Sequence, residues 1–102
     1  MARAEINAGI CGFKTVVETE YDGMECKVKI TSECEAVRKL AAGIETVDPF
    51  QEMSFRGNPK TYEKGLQCLH HAACPVPAGI IKAIEVAAGL ALPADVSIKI
   101  EK

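Results

Sequence analysis

No uncharged apolar run in this 102-residue chain approaches the roughly 20 residues that span a bilayer. The opening Met1-Ala2-Arg3-Ala4-Glu5 lacks the apolar stretch of a secretory signal. Both absences lead to the expectation of a cytoplasmic protein with no membrane partner. A basic stripe is missing as well: the formal net charge is -2, lysines interleave with glutamates, and Arg56, Lys60 and Lys64 make only a short local cluster. Nucleic acid is therefore not an expected partner. No segment is low in complexity or dominated by one charge sign, and no internal repeat divides the chain, which argues against disorder and for a single domain over residues 1–102. A chain of this length buries roughly 65% of its unfolded surface, enough to fold without disulfides or a metal.

Cysteine, by contrast, is plentiful. Five occur, at positions 11, 26, 34, 68 and 74, and the odd number leaves one unpaired in any disulfide scheme. In a reducing compartment such thiols pack, bind metal or react more often than they bridge, so the functional question becomes which of them meet in space.

Alternation supplies the first elements. Ala4, Ile6 and Ala8 alternate with Arg3, Glu5 and Asn7, predicting a strand over Ala2 to Ala8 that Gly9 and Gly12 lead out of. Lys14 to Tyr21 and Met24 to Thr31 flank Asp22-Gly23, a dipeptide suited to a two-residue hairpin turn. That turn would oppose Tyr21 to Met24, Thr19 to Cys26, Val17 to Val28 and Thr15 to Ile30, making one face mostly apolar. After Pro93, the alternation of Val96, Ile98 and Ile100 with Ser97, Lys99 and Glu101 predicts a last strand with one wet face.

Helical signals lie between these strands. Ser32-Glu33-Cys34-Glu35 has the form of a capping box, followed by Val37, Leu40, Ala41 and Ile44 at helical spacing, which predicts a helix from Ser32. Asp48-Pro49 ends that region. Pro49 to Gly57 has no clear period and reads as a lid, a partner surface or a packed loop. Asn58-Pro59 resembles an N-cap and first-turn proline for a second helix with Tyr62, Leu66 and Leu69 on its apolar stripe. A third, Ala78 to Leu90, is apolar nearly all round. The fold class expected is α+β: a three-stranded antiparallel meander, three helices packed on one face, and a final strand.

The same hairpin register, extended, sets Cys11 across from Cys34 on the apolar face. Cys34 would lie in the first turn of its helix, where unpaired N–H groups favour a thiolate. Cys74 precedes Pro75-Val76-Pro77 and would meet the N–H groups around Ala78 to Ile80. Cys11 sits between Gly9 and Gly12, where a bulky ligand can approach the backbone. These three are the candidate cofactor-binding residues, with His71 or Cys68 as a further metal ligand; His70 also shares a helical face with Cys74 if the second helix continues that far. Neither the C-x₂-C pairs of zinc fingers nor the cysteine run of bacterial ferredoxins is present, so both an iron–sulfur cluster and zinc stay open as the cofactor. Cys26, beside Val28 and Ile30, reads as core.

The combination Cys11-Gly12-Phe13, Ser32-Glu33-Cys34 and His71-Ala72-Ala73-Cys74-Pro75-Val76-Pro77 spans nearly the whole chain. It resembles a family of small uncharacterised proteins of anaerobic bacteria and archaea. The resemblance implies a domain of unknown function in organisms rich in iron–sulfur chemistry, and it brings no catalytic residues with it.

Three functions fit these residues. One is a metal- or cluster-binding module for electron transfer, cluster delivery or service to a larger redox enzyme. Another is a metal-free redox or nucleophilic enzyme using Cys34 or Cys74 with His71 as base. The last is a structural or interaction domain with packed cysteines, a homo-oligomer joined through Pro49 to Gly57.

Overall fold

The computed structural model describes residues 1–102. Strands β1 (Ala2–Asn7), β2 (Lys14–Tyr21), β3 (Cys26–Ser32) and β4 (Thr46–Val47) form one antiparallel sheet in the order β1-β2-β3-β4. Alternation decides its faces: Ala2, Thr15, Val17, Thr19, Cys26 and Val28 are buried, while Arg3, Glu5, Glu20, Lys27 and Lys29 are exposed.

The hairpin register differs from the expected one. Asp22 accepts hydrogen bonds from the Met24 and Glu25 amides at its Oδ1, both at 2.9 Å, and its own amide donates to the Glu25 carbonyl at 3.2 Å. The carboxylate thus organises a wider turn over residues 22–25. Tyr21 then pairs with Cys26, Thr19 with Val28, Val17 with Ile30 and Thr15 with Ser32. Because side chains alternate with a period of two, this two-residue offset leaves every residue on its expected face. It also sets Glu20 against Lys27 and Glu18 against Lys29, where the expected register would have opposed Glu20 to Glu25. Opposite charges replace like charges.

Four α-helices stand where three were expected: α1 (Glu35–Ala42), α2 (Pro49–Glu52), α3 (Lys60–Cys68) and α4 (Val76–Ala87), with one 3₁₀ turn at Phe55–Gly57. The Ser32 capping box does not form. Ser32 ends β3, its hydroxyl bonding Thr15 Oγ1 at 2.8 Å and accepting the Cys34 amide at 3.1 Å, so the helix starts three residues later. Asp48-Pro49 opens an element as well as closing one: Asp48 accepts the Phe50 amide at 2.9 Å with Pro49 at the first helical position, and α2 results. Asn58 takes the left-handed conformation with φ 54 and leaves the N-cap to Pro59. Helix α4 stops at Ala87, because Gly89 at φ +74 closes it: the Gly89 amide bonds the Val86 carbonyl and the Leu90 amide the Glu85 carbonyl at 2.8 Å.

The helices cover one face of the sheet, α4 against β1 and β2 and α1 against β3, with α3 bracing both helices. Val17, Val28, Val37, Leu40, Ile44, Val47, Val76, Ile80 and Ile84 fill the space between. Each such side chain contributes roughly 1.5–3 kcal/mol by leaving water. Two details seat α4. The Thr19 hydroxyl donates to the Ala83 carbonyl at 2.8 Å, and Gly79 lies so close to Ile6 that an added Cβ would fall 2.4 Å from its Cδ1.

The expected last strand over Val96–Ile100 is not part of the sheet. Every residue from Ala91 to Lys102 is exposed, none makes a backbone hydrogen bond, and the fourth strand is the two-residue β4, too short to show a period in sequence. Alternation at 96–100 records a surface fit to be half-covered, but α4 releases the chain past the Ala2 end of the sheet and the segment does not fold back.

Candidate thiol site at one end of the sheet

Topology delivers four of the five cysteines to the same end of the molecule. Asn7 pairs with Lys14 and Thr15 with Ser32, so the β1–β2 connection and the β3–α1 junction lie side by side. Cys11 is on the first and Cys34 is the N-cap of α1 in the second. Glu33 ties the two together, its amide donating to the Lys14 carbonyl at 3.3 Å and its Oε1 accepting the Lys14 amide at 2.9 Å. Ile6, one step from the end of β1, lies against Gly79 in the first half of α4, which brings the start of that helix, and Cys74 before it, to this end. Cys68 is the last residue of α3, one turn after Gly65, where an added Cβ would fall 3.7 Å from Pro77 of α4.

The side chains themselves differ in setting. Cys11 is exposed on a loop that leaves β1 through Gly9 (φ +94) and Gly12 (φ +73), both in the left-handed region that glycine tolerates. The loop is tied by two hydrogen bonds, Gly12 amide to Gly9 carbonyl at 2.9 Å and Ala8 amide to Phe13 carbonyl at 3.3 Å. Cys34, Cys68 and Cys74 are half-buried and pack against the edge of the hydrophobic core. His70 and His71 are both exposed in the irregular stretch between α3 and α4. That stretch is a turn, with the Cys74 amide bonding the His71 carbonyl at 3.2 Å. It is not an extension of α3, so helical spacing does not relate either histidine to Cys74.

Their segments share one end of the sheet, but the side chains do not form a ligand set. No three His, Cys, Asp or Glu side chains anywhere in the chain are arranged to hold a metal ion. The hairpin register shows why the expected pairing of Cys11 with Cys34 does not form: the ladder is offset by two residues and its last bonds join Glu33 to Lys14, short of Cys11. The donors around Cys74 are fewer than its Pro-Val-Pro sequence suggests, since Pro77 has no N–H and the Gly79 amide already bonds the Pro75 carbonyl at 3.1 Å. Cys26 is fully buried among Val28, Val47 and the other core side chains, and burial pushes its thiol pKa up.

Sequence reasoning passed over the most elaborate polar site in the fold. Glu52 is 1% exposed. Its Oε2 accepts the Lys60 amide at 2.7 Å and its Oε1 accepts both the Thr61 amide at 2.9 Å and the Thr61 hydroxyl at 2.6 Å. A carboxylate from α2 thereby caps α3, whose own N-cap position, Pro59, has no side chain able to do so. A glutamate in an aperiodic segment carries no sequence signal of this role. Beside it an open groove runs between the 3₁₀ turn and α4, lined by Met53, Phe55, Tyr62, Ala78 and Ile81, with the Phe55 and Tyr62 rings 5.3 Å apart. None of the cysteines lines this groove.

No curated protein and no solved structure shows a significant match to the chain. A family model covering residues 2–100 does match, and the chain belongs to that family, a family of unknown function (DUF6951).

Proposed function

We propose that this domain is a thiolate-ligating module, in which Cys11, Cys34 and Cys74, with Cys68 or His71 as a further donor, close on a metal ion or iron–sulfur cluster. It would act in electron transfer, in cluster delivery or as an accessory to a larger redox enzyme. The observation that carries the reading is the convergence of three cysteine-bearing segments, the β1–β2, β3–α1 and α3–α4 junctions with four cysteines among them, on one end of the sheet. The side chains as they stand are not grouped, so binding requires the glycine-bracketed Cys11 loop and the turn at residues 69–75 to draw inward. Both lie outside the regular elements and can move without breaking a sheet or helix. A bound cluster would supply one-electron chemistry, and zinc would supply a fixed structure.

Protein prepared without oxygen and analysed for iron, acid-labile sulfide and zinc tests this. The expected result is stoichiometric metal in the native chain and its loss in the Cys11→Ala, Cys34→Ala, Cys74→Ala variant. Metal-free native protein, or a variant that retains its metal, would remove the proposal.

A second reading, an interaction domain, is favoured by the exposure of Phe50 (60%), Met53 (44%) and Phe55 (78%) around α2 and the 3₁₀ turn. Serine at Phe50 and Phe55 should then abolish association while leaving any metal content unchanged. Association that survives both changes would count against this surface.

A further inference from the structure

The C-terminal segment has the pattern of a strand and no partner, and the sheet has an edge with no cover. Val96, Ile98 and Ile100 are 65%, 75% and 87% exposed and alternate with Ser97, Lys99 and Glu101. Strand β1 pairs with β2 alone, leaving its other edge open. On the covered face of that strand Ile6 lies against Gly79 of α4.

We propose that residues 96–101 of one chain add to the β1 edge of a second copy, in a reciprocal exchange that makes a dimer. Charge favours one register, in which the Arg3–Glu5 and Lys99–Glu101 pairs made within each segment, at 2.7 and 3.0 Å, are shared across the two strands. Run antiparallel to β1, the segment sets Lys99 against Glu5 and Glu101 against Arg3 on the wet face, with Ile98 against Ile6 and Ile100 against Ala4 on the covered face. A parallel run keeps the apolar face but matches Lys99 to Glu5 alone.

Geometry makes the acceptor a second copy. Along α4, Gly79 lies at Ile6 and Ala83 lies at Thr19, the partner of Ala2, so the helix runs antiparallel to β1 and ends beyond Ala2. Returning to its own edge, the chain would therefore arrive parallel. An antiparallel arrival requires it first to reach the Asn7 end, the length of six strand residues or about 20 Å. From Leu90 to Val96 the chain makes six steps, at most about 20–22 Å when fully extended, which leaves nothing for the reversal an antiparallel arrival also needs, and Pro93 lies within it. The antiparallel, charge-matched register would pull the linker taut within one chain and is open without strain between molecules.

Molar mass measured by light scattering on eluting full-length chain tests it. The expected result is a dimer at micromolar concentration that becomes a monomer when the chain is stopped after Leu92. That truncation removes no hydrogen bond to the body, so the circular dichroism of the helices should not change. Glu5→Lys and Lys99→Glu should each weaken the dimer about tenfold or more, and together restore it to within about threefold. A full-length chain that remains monomeric at about 100 micromolar, including one whose tail docks on its own β1, would overturn the proposal. So would a dimer indifferent to the truncation.

Discussion

Two carboxylates do most of the local organising, and each makes a separate prediction. Buried Glu52 accepts three hydrogen bonds from the start of α3, and Glu52→Ala strands two amides and a hydroxyl away from water. The cost expected is about 2–4 kcal/mol, read as a lowered urea midpoint at unchanged slope; a loss under about 0.5 kcal/mol would mean that water or another group caps α3 equally well. Asp22 is exposed, and its carboxylate is held below the ordinary aspartate range first by the Glu25 amide and then by the Met24 amide. A lowered folded value means that its contribution is present above the unfolded value of about 3.9 and is lost as pH falls through the folded one. The amide resonances of Met24 and Glu25 should therefore titrate together with a midpoint below about 3.9, and Asp22→Asn should abolish the titration. A midpoint at the ordinary value would show that the turn bonds do not persist in solution.

Elements were legible in proportion to their length and to how locally their signals act. The three meander strands and the faces of β2 and β3 follow from alternation. Their register did not, because Asp-Gly marks a turn while the bonds made by the Asp22 side chain set its width. Helix α4 was visible as an apolar run, but not its closest contact. Gly79 reads as a weak spot in a helix, whereas in the fold it is the one residue small enough to face Ile6. Gly79→Ala improves helix propensity by about 1 kcal/mol and drives a methyl into Ile6, at about 1–3 kcal/mol for overpacking. The net expectation is a lower thermal midpoint, recovered in part by Ile6→Val; a simple gain in stability would show that α4 stands further from β1. For the cysteines, sequence located the segments that carry them and not the arrangement of their side chains. Cys34 and Cys74 lie at element starts that sequence can locate, while Cys11 depends on a loop whose path no periodic pattern encodes.

At the scale of the molecule, five thiols with graded exposure make a built-in report on folding. Cys11 is exposed, Cys34, Cys68 and Cys74 are half-buried at the core's edge, and Cys26 is wholly inside. Reagent in excess should therefore modify Cys11 first and Cys26 only as fast as the whole domain opens, since Cys26 shares its cluster with Val17, Leu40 and Ile80 from three different elements. Burial holds the Cys26 thiol protonated to higher pH than in the unfolded chain. Its contribution to stability is consequently complete below the unfolded value of about 8.5 and declines as pH rises above it toward the raised folded value, because only the unfolded chain then releases that proton. Urea midpoints taken between neutral pH and about pH 10 should fall for the native chain. They should fall less steeply for Cys26→Ala, whose midpoint is lower at neutral pH owing to the cavity. Equal slopes for the two proteins, or labelling of Cys26 at the rate of Cys11, would place that sulfur outside the core on which α4, α1 and the sheet close.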